Sequence, residues 1–255
     1  MLLFGFSYVN KTARMLMTDS ELRTLLEHVA DGATDAATAH RQLLEVLRAR
    51  PYEDLGFARV DHHRAVRQGF PEVILGLGKT PAQVAAIAAE IVERGSTLLV
   101  TRATEAAYDA VRVRVPGATY HADAAIITFR QQDVSAGKGT IVVAAAGTSD
   151  LFVAEEAART AELMGNDVVR LYDVGVAGLQ RLLGERPRLA AARVIIVVAG
   201  MEGALPSVVS GLVSVPVIAA SSATGRSAVP AAAMAMVPLP GSTSCWRSVM
   251  IDATA

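Results

Sequence analysis

The feature that most restricts the fold is Val194–Val198, an uninterrupted β-branched run that ends abruptly at Ala199-Gly200. Such a run suits a strand buried on both faces of a parallel sheet, since a half-exposed strand would alternate apolar and polar residues. A helical pattern restarts near Ala204. Small residues at the carboxyl end of a central strand let a ligand approach the backbone. The following helix then offers unpaired N–H groups and a positive dipole end to an anion. Glu202 lies in that turn, where a carboxylate opposes anion binding and must serve another purpose. A second unit repeats the arrangement: a strand Thr140–Ala146, the turn Gly147-Thr148-Ser149-Asp150, and a helix from about Phe152. Two crevice-facing turns on neighbouring strands point to a small-molecule site.

Regular alternation continues around these two units. Strands are expected at Val168–Tyr172 and Val217–Ala220, and helices at Phe152–Met164, Leu179–Leu183 and Ala204–Leu212. The order β-α-β-α-β-α-β describes a doubly wound α/β sheet, whose sites lie beyond the carboxyl ends of the strands. Gly147, Asp150, Asp173, Gly200 and Glu202 all fall at that edge. Apolar residues make up 52% of the chain but aromatics only 5%, so its core is built from Ala, Val, Ile and Leu, as in a parallel sheet covered by helices.

The first half reads differently. A helix is expected from Ser20 as N-cap, with Leu22, Leu25 and Leu26 at helical spacing, and another over Thr34–Ala49, stopped by Pro51. Asp61-His62-His63-Arg64, with Arg67, suggests either a polar active-site edge or a solvated turn before a strand. Adjacent histidines on a strand point to opposite faces, which argues against a shared metal. Gly78-Lys79-Thr80 resembles the end of a phosphate-binding loop, but Val73 stands where a Walker A loop needs its first glycine. Lys79 and Thr80 are left as holding a single phosphate or merely capping a helix. Thr80, Pro81 and Gln83 open a helix to Arg94 with a capping box. A strand over Thr97–Thr101, a helix over Thr104–Val113 and a strand over Ala124–Phe129 complete a small α/β region. The polar stretch Arg130–Gly139 is the expected boundary, dividing residues 1–130 from a second domain over 138–255.

Charge narrows the partners. With 24 Lys+Arg against 25 Asp+Glu, neither nucleic acid nor an anionic membrane is the expected partner. No run is long and apolar enough for a transmembrane helix, and the N-terminus lacks the basic leading region of a signal peptide. A single cysteine, Cys245, excludes an internal disulfide and fits a cytoplasmic protein.

The blocks PYEDLGFARVDHHRAVRQGFPEVILGLGKT, AGTSD, YDVGVAGL and VAGMEGALPSVVSGL closely resemble the LarB family, over roughly residues 20–219. That family makes pyridinium-3,5-biscarboxylic acid mononucleotide, the precursor of the nickel-pincer cofactor of lactate racemase. The second half is also similar to aminoimidazole ribonucleotide carboxylase, whose Gly-Ser-x-Ser-Asp turn corresponds to Gly147–Asp150. That enzyme carries a histidine where Ala204 stands here, which argues against the purine-pathway reaction. The resemblance implies a PurE-like, flavodoxin-like second domain and a homo-oligomer assembled on it.

It further implies carboxylation of nicotinic acid adenine dinucleotide by carbon dioxide or bicarbonate, with hydrolysis of the phosphoanhydride to release AMP. No covalently bound cofactor is expected. An electron-poor pyridinium must accept a nucleophile before it can attack carbon dioxide as an enamine, and a cysteine thiolate suits that step. Cys245 is the candidate nucleophile and Glu202 the base that removes the ring proton. Thr148, Ser149 and the amides of the Gly147 and Gly200 turns are expected to hold phosphate or carboxylate oxygens, beside Gly175 and Lys79. Asp150 and Asp173 are assigned either a ribose hydroxyl or a divalent ion such as Mg2+ on the pyrophosphate. The family pattern breaks after Ala219. Pro230, Pro238 and Pro240 interrupt its long closing helix, so the tail has either diverged around Cys245 or come from a shifted reading frame. A poorly ordered tail with an exposed Cys245 is the expectation. The rival readings are a nucleotide-binding protein without turnover and the imidazole-nucleotide carboxylase.

Overall fold

A computed structural model describes residues 19–48, 52–62, 64–65, 69–131, 137 and 139–222. The tail from 223, with Cys245 and its three prolines, lies outside the described residues, as do His63, Arg67, Pro51 and most of the stretch between 131 and 139.

The second half is the parallel sheet its pattern requires. Strands β7 (Thr140–Ala145), β8 (Asp167–Leu171), β9 (Val194–Ala199) and β10 (Val217–Ser221) lie in the order β10-β9-β7-β8, all parallel. Every residue of β9 is buried. Alternate residues serve opposite faces, as the period of two demands. Val142, Ala144, Ile195 and Val197 pack with Leu182, Leu189, Leu205 and Val209 on one side. Val143, Ala145, Ile196 and Val198 pack with Val153, Ala154, Ala157 and Ala158 of the helix Leu151–Leu163 on the other. The chain leaves β7 toward β8 and returns across it to β9, so the strand order reverses between β7 and β9. That reversal is where a doubly wound sheet carries its ligand crevice, beyond the carboxyl ends of the two strands.

The first half forms a separate sheet. Strands β3 (Ile74–Leu75), β4 (Leu98–Thr101), β5 (Thr119–His121) and β6 (Ile126–Phe129) lie in the order β3-β4-β6-β5, with only β3 and β4 parallel. The helices Pro81–Glu93 and Glu105–Arg114 cover one face. Thr80 caps the first with the expected capping box, its hydroxyl accepting from the Gln83 amide and the Gln83 side chain from the Thr80 amide. Its other face, Phe70, Leu99, Ala124 and Ile126, closes on Leu163. The helix Leu151–Leu163 is therefore clasped between both sheets.

Three local expectations change. Ser20 is not the N-cap, because the first helix, Asp19–Ala30, already contains it. The second helix, Ala36–Arg48, begins two residues after Thr34, where the Asp35 carboxylate accepts from the Thr38 amide at 2.9 Å and takes the cap. A hairpin of β1 (Tyr52–Asp54) and β2 (Arg59–Asp61) and the strand β5 escape the sequence pattern, since three residues are too few to show a period. Likewise, the helix Leu179–Gly184 is followed at once by a second, Arg186–Ala191. Among the described residues no helix is long and apolar enough to cross a membrane.

Candidate functional site

Three turns meet at the carboxyl edge of the parallel sheet. After β7, Gly147 leads into a single 3-10 turn, Thr148–Asp150, with Thr148 and Ser149 exposed and Asp150 buried. The Asp150 carboxylate accepts from the Gly147 amide at 2.8 Å through Oδ2 and from the Gly200 amide at 3.0 Å through Oδ1. Oδ1 also accepts from the Ser222 hydroxyl, just past β10. One carboxylate thus ties the ends of β7, β9 and β10 together. Both oxygens are engaged by protein donors, which makes Asp150 a strut for the crevice.

This role predicts a large effect. Asp150→Asn cannot present two acceptor oxygens to two amide donors, so one N–H loses its partner or faces another donor. Charge-assisted hydrogen bonds of this kind contribute about 1.5–3 kcal/mol each. The variant should lose roughly that much stability in urea denaturation; an unchanged midpoint would remove the strut.

After β9, Met201 and Gly203 take left-handed backbone angles, φ 47° and 64°. Such angles cost a non-glycine residue about 1–2 kcal/mol. The strain turns Met201 almost wholly into solvent, with Glu202 exposed beside it. The helix Ala204–Leu212 starts immediately afterwards, as expected from the sequence.

After β8, Asp173 also has a left-handed angle, φ 58°. The Val174 amide donates to the Ala145 carbonyl at 3.1 Å, and a Cβ on Gly175 would stand 2.7 Å from the Ala146 carbonyl oxygen. Glycine is required there because this turn presses against the end of β7. Gly178 answers a different need: a Cβ would meet the Arg181 guanidinium at 2.5 Å. Arg181 can therefore fold back over the turn and pair with Asp173, both groups being about half exposed. Arg181 is the residue that sequence reading missed, although Gly178-x-x-Arg181 signals a side chain lying over a glycine. Asp173 is thus paired with Arg181, and Asp150 with the Gly147 and Gly200 amides. No group of three or more His, Cys, Asp or Glu among the described residues can hold a metal ion.

Gly147, Thr148, Ser149, Asp150, Gly200 and Glu202 thus share one crevice edge, with Asp173 and Gly175 on the adjoining turn. Lys79 lies in the loop after β3 of the other sheet, where its ammonium donates to the Leu75 carbonyl at 2.9 Å and closes its own loop. His62, from the polar Asp-His-His-Arg stretch, is buried under the first sheet with Nε2 3.1 Å from Glu90. Burial, with the Arg94 charge, pushes its pKa down. Glu90 and Glu53 flank Arg94 at 3.0 and 3.2 Å, so His62 belongs to a cluster that binds the hairpin to a helix.

Residues 52–132 match the family model of the LarB/PurE-like N-terminal domain. The chain is also similar to an uncharacterized protein of Methanocaldococcus jannaschii, 36% identical over 174 residues that span 65% of this chain and 68% of that one.

Proposed function

The chain belongs to the LarB/PurE-like family, and from that premise we propose that it carboxylates nicotinic acid adenine dinucleotide and hydrolyses its phosphoanhydride, yielding pyridinium-3,5-biscarboxylic acid mononucleotide and AMP. The observation that carries this reading is the crevice between β7 and β9. Its two turns are pinned to each other by Asp150 and present the exposed groups Thr148, Ser149 and Glu202.

The chemistry divides among these parts. The Thr148 and Ser149 hydroxyls of the Gly147 turn, at the start of a 13-residue helix, receive a phosphoryl oxygen, the Gly147 amide being held by Asp150. Arg181 supplies a cationic contact by exchanging Asp173 for phosphate, since a half-exposed ion pair contributes only about 0–1 kcal/mol. A thiolate, for which Cys245 is the proposed source, adds to the pyridinium ring and pushes an electron pair into the enamine. The enamine carbon then attacks carbon dioxide. Glu202 takes the proton from that carbon, the ring becomes aromatic again and the thiolate leaves. Water cleaves the phosphoanhydride between the two nucleotides. Lys79, in the loop after β3, is the proposed further phosphate contact from the first half of the chain. The proposed units are residues 1–130 and 138–255, acting in the cytoplasm as a homo-oligomer.

Incubation with nicotinic acid adenine dinucleotide and bicarbonate, followed by mass spectrometry, tests the reading. The carboxylated mononucleotide plus AMP is the expected result. Binding without product would leave a nucleotide-binding protein, and turnover of the imidazole nucleotide alone would move the chain to the purine reaction.

A further inference from the structure

The first sheet grips the helix Leu151–Leu163 along its whole length. Near its start, Arg102 donates to Glu156 Oε2 at 2.7 Å and lies 5.1 Å over the Phe152 ring. In its middle, Arg159 donates to Asp123 at 2.8 Å. At its end, Arg130 donates to the Glu162 and Leu163 carbonyls at 2.7 and 3.2 Å, satisfying acceptors that the last turn leaves open. Leu163 itself sits in the apolar cluster of the first sheet.

The grip near the start differs from the others. Glu156 is 1% exposed, and its Oε1 has no hydrogen-bond partner among the described residues. Arg102 has a left-handed backbone, φ 52°, and so does Ala125, φ 47°, whose carbonyl accepts from the Ala103 amide at 2.7 Å. Two non-glycine residues are thus strained at the very place where β4 hands Arg102 to the helix. Strain of this kind persists only where surrounding structure imposes it, and it gathers at functional sites. Phe152 and Glu156 lie on the first turns of the helix, immediately after the Thr148–Asp150 turn that faces the crevice.

We propose that Arg102 is a positioning residue for the anion-binding turn. Acting through Glu156 and Phe152, it fixes the start of the helix and hence Thr148, Ser149 and Asp150, so the first sheet is an integral part of the crevice. The inference rests on the reading of that turn as the phosphate-facing element.

The test uses the full chain carrying Arg102→Gly together with Glu156→Gln. Glycine accepts the left-handed backbone, and the glutamine avoids leaving a buried charge unpaired. Hydrogen exchange is measured without ligand, and affinity is measured by calorimetry with inorganic pyrophosphate. Exchange at the amides of 148–152 is expected to accelerate at least tenfold while β9 amides keep their protection. Pyrophosphate affinity is expected to fall at least tenfold. Guanidinium ion, but not sodium at the same ionic strength, should recover part of the affinity in Arg102→Gly alone. Wild-type exchange at 148–152 in the folded double variant would overturn the proposal. Should the double variant not fold, Arg102→Lys decides: it keeps a cation beside Glu156 but loses the planar fork, and wild-type exchange and affinity in it would equally overturn the proposal. A wild-type chain that yields no carboxylated product, yet shows this Arg102 dependence, defeats only the proposed reaction.

Discussion

Glu202→Gln is expected to leave folding and dinucleotide binding intact while cutting formation of the carboxylated product by about two to four orders of magnitude, the usual contribution of a positioned general base. Glu202 is exposed, so the change should move stability by no more than about 0.5 kcal/mol. Its place in the turn is held by the Gly203 amide, which donates to the Gly200 carbonyl at 2.9 Å, and by the left-handed angle at Met201. Neither depends on the carboxylate, and glutamine preserves side-chain length and shape. Single-turnover experiments with saturating bicarbonate separate binding from chemistry. Unchanged turnover would take the base assignment away from Glu202.

The largest expected effect on stability comes from Arg102→Met. Breaking a buried ion pair leaves the surviving charge uncompensated, at a cost of about 3–5 kcal/mol. Glu156 is that charge, with 2% of its side chain exposed against 11% for Arg102. Its carboxyl pKa is raised by burial, which outweighs the opposing pull of the Arg102 charge and hydrogen bond. Between the unfolded value and the raised folded value, the folded chain therefore binds a proton that the unfolded chain has released. Glu156 favours the fold most below the unfolded value of 4.5, and that contribution is lost as pH rises through the folded value. Removing Arg102 raises the folded pKa further. The gap between variant and wild type should then be widest at neutral pH and narrow in acid, and adding Glu156→Gln should recover most of it. Urea denaturation at several pH values measures this directly; a pH-independent gap would show that lost packing over Phe152, not charge, carries the effect.

Much of the fold was legible as local pattern. The β-branched run of Val194–Val198 required a strand covered on both faces, and the structure buries all five residues together with Ala199. Thr80, Pro81 and Gln83 announced a helix start because capping involves groups only three residues apart. The crevice edge was legible for the same reason: Gly147 and Gly200 each follow a strand and precede a helix, and alternation with short connections leaves few topologies open. Short elements were not legible, since Tyr52–Asp54, Arg59–Asp61 and Thr119–His121 are too brief for periodicity to separate from turns.

Roles that depend on partners distant in sequence came only from the tertiary structure. As a residue type in a turn, Asp150 suggests a ligand-binding group; its role as a strut shows only when the Gly200 amide, 50 positions away, arrives beside it. Nothing local sets Glu156 apart from Glu155 and Glu162 on the same helix; only the fold brings Arg102, 54 positions earlier, to it. His62 looked like active-site polarity and turned out to be packed beneath Glu90. Hydrophobic period and capping are properties of neighbouring residues, so the chain carries them before it folds. The charge state, burial and availability of a side chain depend on which remote groups the folded sheets bring within about 3 Å, and no local pattern encodes that distance.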